Sequence, residues 1–192
     1  LAGTGREGTM RVELAAAVCD LFKSVTLPRD GPTLSGAEQT RLIALASLAA
    51  LCRSGVERDP YTRDIIQIYQ PESPARLAKV LARLLAGLLA LGVEHHTAWT
   101  ILTKVGLDCV PTLRRLAFDH LIARPATGSD AATTESIARA TGYQPTTIRR
   151  SLQELAAHGV VVEGRAGEAG KAAEWAISAE ARELYDAATG SP

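Results

Sequence analysis

One stretch of the chain, Ala140 to Leu152 (ATGYQPTTIRRSL), carries side chains that suit hydrogen bonding to nucleic-acid bases. Arginine can bind guanine through two hydrogen bonds, glutamine can do the same for adenine, and the threonine methyl group can contact that of thymine. If Ile148, Leu152 and Leu155 face a protein core, helical spacing directs the polar residues between them to the opposite side. The residues that we expect to contact DNA here are Gln144, Pro145, Thr146, Thr147, Arg149, Arg150 and Gln153.

The elements around this stretch follow a definite order. A short helix is predicted from Thr134 to Thr141, a tight turn from Gly142 to Gln144 and a second helix from Pro145 to His158. The strand-like run VVVEG follows, then the flexible tip RAGEAG and a returning strand, KAAEWAI. Ser178 is placed to cap a last helix that ends near Ala188. The order is helix, turn, helix, strand, tip, strand.

The segment that carries a family resemblance is TTESIARATGYQPTTIRRSLQELAAHGVVVEG, which is similar to the winged helix of MarR-like and IclR-like bacterial regulators. The matching positions are Ile137 and Ala138 in the first helix, Gly142 in the turn, Ile148, Leu152 and Leu155 in the second helix, and Gly159, Val160 and Val161 at its exit. The resemblance covers about Pro111 to Ala188. It implies that the second helix enters the major groove of double-stranded DNA, that Arg165 and Lys171 reach the DNA from the wing, and that the protein is a homo-oligomer.

The charge of this region favours a different function. Residues 111–192 contain nine Lys or Arg and ten Asp or Glu, and the whole chain has a formal charge of zero. A dedicated DNA-binding domain usually carries a basic face. The alternative is a protein-interaction or dimerisation module that uses a winged helix without contacting DNA. A third possibility, a regulator that senses a small molecule, needs a pocket among the N-terminal helices.

The composition predicts a mainly α fold, in which an N-terminal helical bundle (residues 1–110) precedes a winged helix-turn-helix with a small two-stranded wing (residues 111–192). Hydrophobic residues make up 46% of the chain and aromatic residues only 4%, so the core is built from aliphatic residues, of which Leu and Ala favour helices. Helices are predicted over about Arg6–Ser24, Gly36–Arg53 with a capping box at Ser35 and Glu38, Pro74–Gly92, Thr97–Leu107 and Thr112–Ala123. The β-branched run from Ile65 to Tyr69 is too short to assign.

A basic stripe, Arg76, Lys79 and Arg83, lies at spacings of three and four along the helix from Pro74. It indicates either a solvated face or a contact with an anion. The segments ALCRSGVERD and PESPARLAKVLARLLAGL resemble the helical lid of actinobacterial AAA-type ATPases, which implies that Arg76 contacts the γ-phosphate. The sequence has no GxxxxGK[ST] phosphate loop, so we expect no ATP hydrolysis by this chain alone. Because it begins with Leu, we expect a piece of a longer protein, which could be an ATPase.

Patterns typical of enzymes are not found in the sequence. It contains no HExxH, paired CxxC or GxSxG motif, and the adjacent His95 and His96 would diverge on a helix. We therefore predict no catalytic residue, metal site or cofactor. The three cysteines are far apart and odd in number, which is typical of free thiols in the cytoplasm. The apolar run from Leu77 to Val93 is short and contains two charges, so no membrane contact is expected.

Overall fold

The computed structural model describes residues 6–26, 32–124, 131–164 and 173–190. These ranges contain eight helices and two small antiparallel sheets, which confirms the prediction of a mainly helical protein. The elements are α1 (Glu7–Ser24), α2 (Gly36–Arg53), β1 (Val56–Arg58), β2 (Ile65–Ile68), α3 (Pro74–Ala90), α4 (His95–Asp108), α5 (Thr112–Ile122), β3 (Ala132–Thr133), α6 (Thr134–Thr141), α7 (Pro145–Ala157), β4 (Val161–Glu163), β5 (Glu174–Ile177) and α8 (Ala179–Thr189).

Helix α2 lies at the centre of the packing and contacts α3, α4 and α8. Its start is fixed by the predicted capping box: the Ser35 hydroxyl accepts from the Glu38 N–H at 3.3 Å, and the Glu38 carboxylate accepts from the Ser35 N–H at 2.8 Å. These two bonds satisfy N–H groups that a helix leaves without a partner. Leu45 and Leu48 on the next turns are fully buried, so the cap positions an apolar face.

The hydrophobic core is one cluster that takes buried side chains from both predicted segments of the chain. Arg41 of α2 shows how the segments are joined. Its Nε donates to the carbonyl of Ala188, near the end of α8, at 2.9 Å, and its guanidinium lies 4.5 Å from the ring centre of Trp99 in α4. A cation above an aromatic face is attractive, so one side chain connects three helices. The division of the chain after residue 110 stays a prediction.

The first sheet is a hairpin of β1 and β2, in which Val56 lies opposite Ile68. The sequence left β2 unassigned. The turn of the hairpin is held by Asp59, whose carboxylate accepts from the N–H groups of Tyr61 and Thr62 at 2.8 Å. The second sheet has the order β3-β5-β4. Strands β4 and β5 were expected, whereas the two-residue β3 was not.

Two features of the helices differ from the expected burial. The apolar spacing of α3 predicts that Val80 faces inward with its leucines, but 56% of Val80 is exposed. Three of the four buried residues of α3, Leu77, Leu81 and Leu85, follow a line of i, i+4 and i+8, and the fourth, Ala86, is next to Leu85, because α3 meets α2 and α4 along this side. Helix α1 forms as predicted, but none of its residues is buried.

Candidate nucleic-acid interface

The position of α7 is set by the turn that precedes it. Gly142, in the predicted turn, ends α6 in the left-handed conformation (φ 77°), and its N–H donates to the carbonyl of Ala138 at 2.9 Å. A side chain would strain this conformation, which glycine adopts freely. Pro145 then occupies the first position of α7, where its missing N–H costs nothing. The carbonyl of Gln144 accepts the first helical bond, from Ile148 at 3.1 Å.

The inner face of α7 agrees with the prediction. Ile148 and Leu152 are fully buried and Leu155 is 1% exposed, on a face that packs against α5, α6 and β4. The opposite face of the first two turns is open. Gln144, Pro145, Thr146, Arg149 and Arg150 are exposed, and Thr147 is half-buried. Within the described parts of the chain, neither the Arg149 nor the Arg150 guanidinium forms a hydrogen bond or an ion pair. Both groups are therefore available to a ligand.

The C-terminal half of the same face is covered by the β1–β2 hairpin. Arg58 of β1 donates from Nη2 to the Arg150 carbonyl at 3.0 Å and from Nη1 to Oε1 of Gln153 at 3.3 Å. The half-buried Gln153 is thus engaged within the protein, apart from the open residues of the first two turns. No local pattern indicates this contact, because Arg58 lies 92 positions before Arg150 and 95 positions before Gln153.

Glu154 fixes the hairpin and α5 against α7. Its Oε1 accepts from Nε of Arg58 at 3.2 Å, and its Oε2 accepts from Nε of Arg114 at 2.8 Å. Arg114 also donates to the carbonyls of Cys52 and Ser54, at the end of α2. The three charged side chains are between 11% and 21% exposed, so the pairs are largely screened from water. This cluster, Glu154 with Arg58 and Arg114, is called the Glu154 clamp below.

An open cleft of about 410 Å³ separates the hairpin from β4 and β5. The residues that line it are Asp64, Ile65, Ile68, Gln153, Ala156, Ala157, Glu163 and Trp175. Among the described residues, the charged groups that line it are the carboxylates of Asp64 and Glu163. These would repel a phosphate backbone, so the face suited to nucleic acid ends before this cleft.

The predicted wing is described only at its base, where β4 pairs with β5. The Gly164 N–H donates to the Glu174 carbonyl at 2.7 Å, which continues the pairing of β4 with β5. Arg165 and Lys171, the predicted wing contacts, lie outside the described residues. Their contact with DNA stays a prediction.

The basic stripe of α3 faces solvent, since Arg76, Lys79 and Arg83 are all exposed. The Arg76 side chain is 84% exposed and lies 3.5 Å from the carboxylate of Glu72, which also pairs with Arg53 at 3.5 Å. Helix α3 packs against α2 and α4. The stripe is therefore on a different element from the open face of α7.

In the described residues, no group of three or more His, Cys, Asp or Glu side chains could hold a metal ion, and no helix is long and apolar enough to cross a membrane. Cys19, Cys52 and Cys109 are free thiols, and burial raises the pKa of Cys52 to about 12. The chain matches no protein-family model, no curated protein and no solved structure.

Proposed function

We propose that this chain binds double-stranded DNA through the first two turns of α7, as a winged helix-turn-helix. In this proposal α6, the Gly142 turn and α7 form the helix-turn-helix, and β4 with β5 forms the wing. The observation that carries it is the pair of exposed, unpaired guanidinium groups of Arg149 and Arg150 above the buried Ile148. Recognition helices contact base edges with their N-terminal residues, which is the part of α7 that the hairpin leaves open.

The chemistry of the open face suits a duplex. Arg149 and Arg150 supply paired donors for guanine or phosphate, and Gln144 and Thr146 supply shorter polar contacts. A formal charge of zero argues against binding to nucleic acid through overall charge alone. We therefore propose few phosphate contacts and modest affinity for random sequence. The protein would be a cytoplasmic bacterial regulator or the C-terminal part of a DNA-acting AAA-type ATPase.

The test is fluorescence anisotropy with a labelled random-sequence duplex at low and moderate salt. Affinity should fall with salt by about 0.9 log units per log unit for each phosphate contacted. Arg149→Ala and Arg150→Ala should each weaken binding by about 1–3 kcal/mol, or about 5- to 150-fold. Lys104→Ala is the matched control, because it removes an exposed charge from α4, away from α7. Binding that ignores salt and both arginines would overturn the proposal.

A second candidate function is docking of a protein partner. The hairpin beside α7 exposes Tyr61 (92%), Ile66 (59%) and Ile68 (53%), and apolar side chains in this number are typical of protein contacts. In that case Ile66→Asp would abolish binding of the partner, whereas salt would have little effect. The two functions separate in the same anisotropy experiment, since a protein-docking module has no affinity for the labelled duplex.

If the chain is part of an ATPase, we propose in addition that Arg76 contacts the γ-phosphate of a nucleotide bound by another part of that protein. The exposure of its guanidinium supports this role. The nucleotide would have to be held by a phosphate loop elsewhere, since none occurs in this sequence.

A further inference from the structure

The cleft between the β1–β2 hairpin and strands β4 and β5 has no part in the proposed function. Its volume of about 410 Å³ falls in the range of about 300–1,000 Å³ that is typical of small-molecule sites. Five of its eight described lining residues are apolar or aromatic, namely Ile65, Ile68, Ala156, Ala157 and Trp175. The cleft therefore suits a ligand with an apolar body.

Two carboxylates line this cleft on opposite sides. Asp64 directly precedes β2 on the side of the hairpin, and Glu163 ends β4 on the other side. Both residues are exposed, and within the described ranges neither carboxylate forms an ion pair or a hydrogen bond. The described lining contains no Lys, Arg or His. A ligand that enters the cleft would thus meet two negative charges that no cation of this lining neutralises.

The indole of Trp175 forms an ordered part of the wall. Its Nε1–H donates to the hydroxyl of Thr134, at the start of α6, at 3.0 Å, and Trp175 is only 1% exposed. The ring is therefore fixed before any ligand arrives. A wall that is already ordered loses little entropy when a ligand packs on it, which favours binding.

The groove between α2 and α8 lacks this arrangement, although it is also apolar and acidic. It has a volume of about 430 Å³, and two carboxylates line it, those of Glu180 and Glu183. Both belong to α8 and so lie on one wall, and its described lining contains no aromatic side chain. Carboxylates on facing walls attract one ligand from both sides, whereas a pair on one wall does not. The α2–α8 groove is therefore a control for the cleft.

We propose that the cleft between the hairpin and β4–β5 binds a small organic cation with an apolar or aromatic body. The body packs on Ile65, Ile68 and Trp175, and the positive charge is attracted by the carboxylates of Asp64 and Glu163. An anion of the same shape is repelled by both carboxylates. Binding needs no DNA, so this inference stands apart from the proposed function.

The first test is isothermal titration calorimetry without DNA, in a sodium buffer, with two ions of similar shape and opposite charge. The cation tetraphenylphosphonium should bind at least about 10-fold more tightly than the anion tetraphenylborate. Asp64→Asn and Glu163→Gln should each weaken binding of the cation by about 2- to 5-fold, as expected for exposed charges. Replacing both residues with Lys should reverse the preference. Circular dichroism should show unchanged helix content, because both side chains are exposed.

The matched control is the double variant Glu180→Gln and Glu183→Gln, which removes both carboxylates from the α2–α8 groove and should leave the affinity unchanged. The position of the ligand is tested by NMR of the two tryptophan indole N–H groups. The phenyl rings of tetraphenylphosphonium should shift the signal of Trp175 and not that of Trp99 in α4, with Trp99→Phe giving the assignment. The proposal would be overturned by no binding of the cation, by equal affinity for both ions, by loss of binding in the control variant, or by an unchanged Trp175 signal.

Discussion

The Glu154 clamp should contribute a large part of the stability of this protein, and Glu154→Gln tests it. This change keeps the shape of the side chain and removes the charge that faces Arg58 and Arg114. Both guanidinium groups would then remain in a largely buried place without their carboxylate. Removing one partner of a buried ion pair costs about 3–5 kcal/mol. Because the arginines keep their bonds to backbone carbonyls and are 15% and 11% exposed, we expect the lower end, about 3 kcal/mol.

Thermal unfolding followed by circular dichroism measures this loss. For a chain of this size, about 1 kcal/mol corresponds to about 2–4 °C, so the Tm should fall by about 6–12 °C. Urea unfolding should give a lower midpoint with an unchanged slope. Glu13→Gln removes an exposed charge from α1 and should change stability by no more than about 0.5 kcal/mol. A decrease below about 2 °C for Glu154→Gln would mean that solvent already screens the clamp, and would refute the reasoning.

Two further predictions concern stability. Gly106→Ala places a methyl group about 2.9 Å from the buried Leu45 side chain, and the overpacking should cost about 1–3 kcal/mol, more than the helix propensity gained. Gly87→Ala meets open space and should stabilise the protein by about 0.5–1 kcal/mol. Urea unfolding of both variants checks these opposite signs. The hydrogen bonds from Ser35 lower the pKa of Glu38 to about 2, below its value of about 4.3 in an unfolded chain. The ionised Glu38 therefore stabilises the folded protein fully above about pH 4.3, and this stabilisation is lost as the pH falls towards 2. Glu38→Gln should flatten this dependence in unfolding experiments across that range, and an unchanged slope would contradict the assignment.

Features fixed by neighbouring residues could be predicted from the sequence. The capping box at Ser35, the left-handed Gly142 and the buried side of α7 each depend on residues within one or two helical turns. In such a segment the spacing of polar and apolar residues already defines which side is covered. These features place the candidate site on the open side of α7.

Features that depend on distant residues could not be predicted. The hairpin meets α7 through Arg58, and nothing in the spacing of either segment indicates that they pair. Strand β3 has two residues, which is too short for an alternating pattern. Val80 fits the apolar period of α3, yet its exposure depends on which side of α3 contacts α2 and α4. In each case the deciding partner lies elsewhere in the chain.

The hairpin divides the outer face of α7 into a covered part and an open part. In the covered part, Gln153 and Glu154 form hydrogen bonds with Arg58, next to a cleft that is lined by acidic residues. Before Gln153, the exposed side chains are held by the rigid backbone of α7, whose Arg150 carbonyl is itself fixed by Arg58. A partner that approaches α7 from solvent, whether DNA or protein, therefore reaches its first two turns. In the proposed function, the contact that holds the C-terminal half of α7 leaves Arg149 and Arg150 as the charged groups open to the partner.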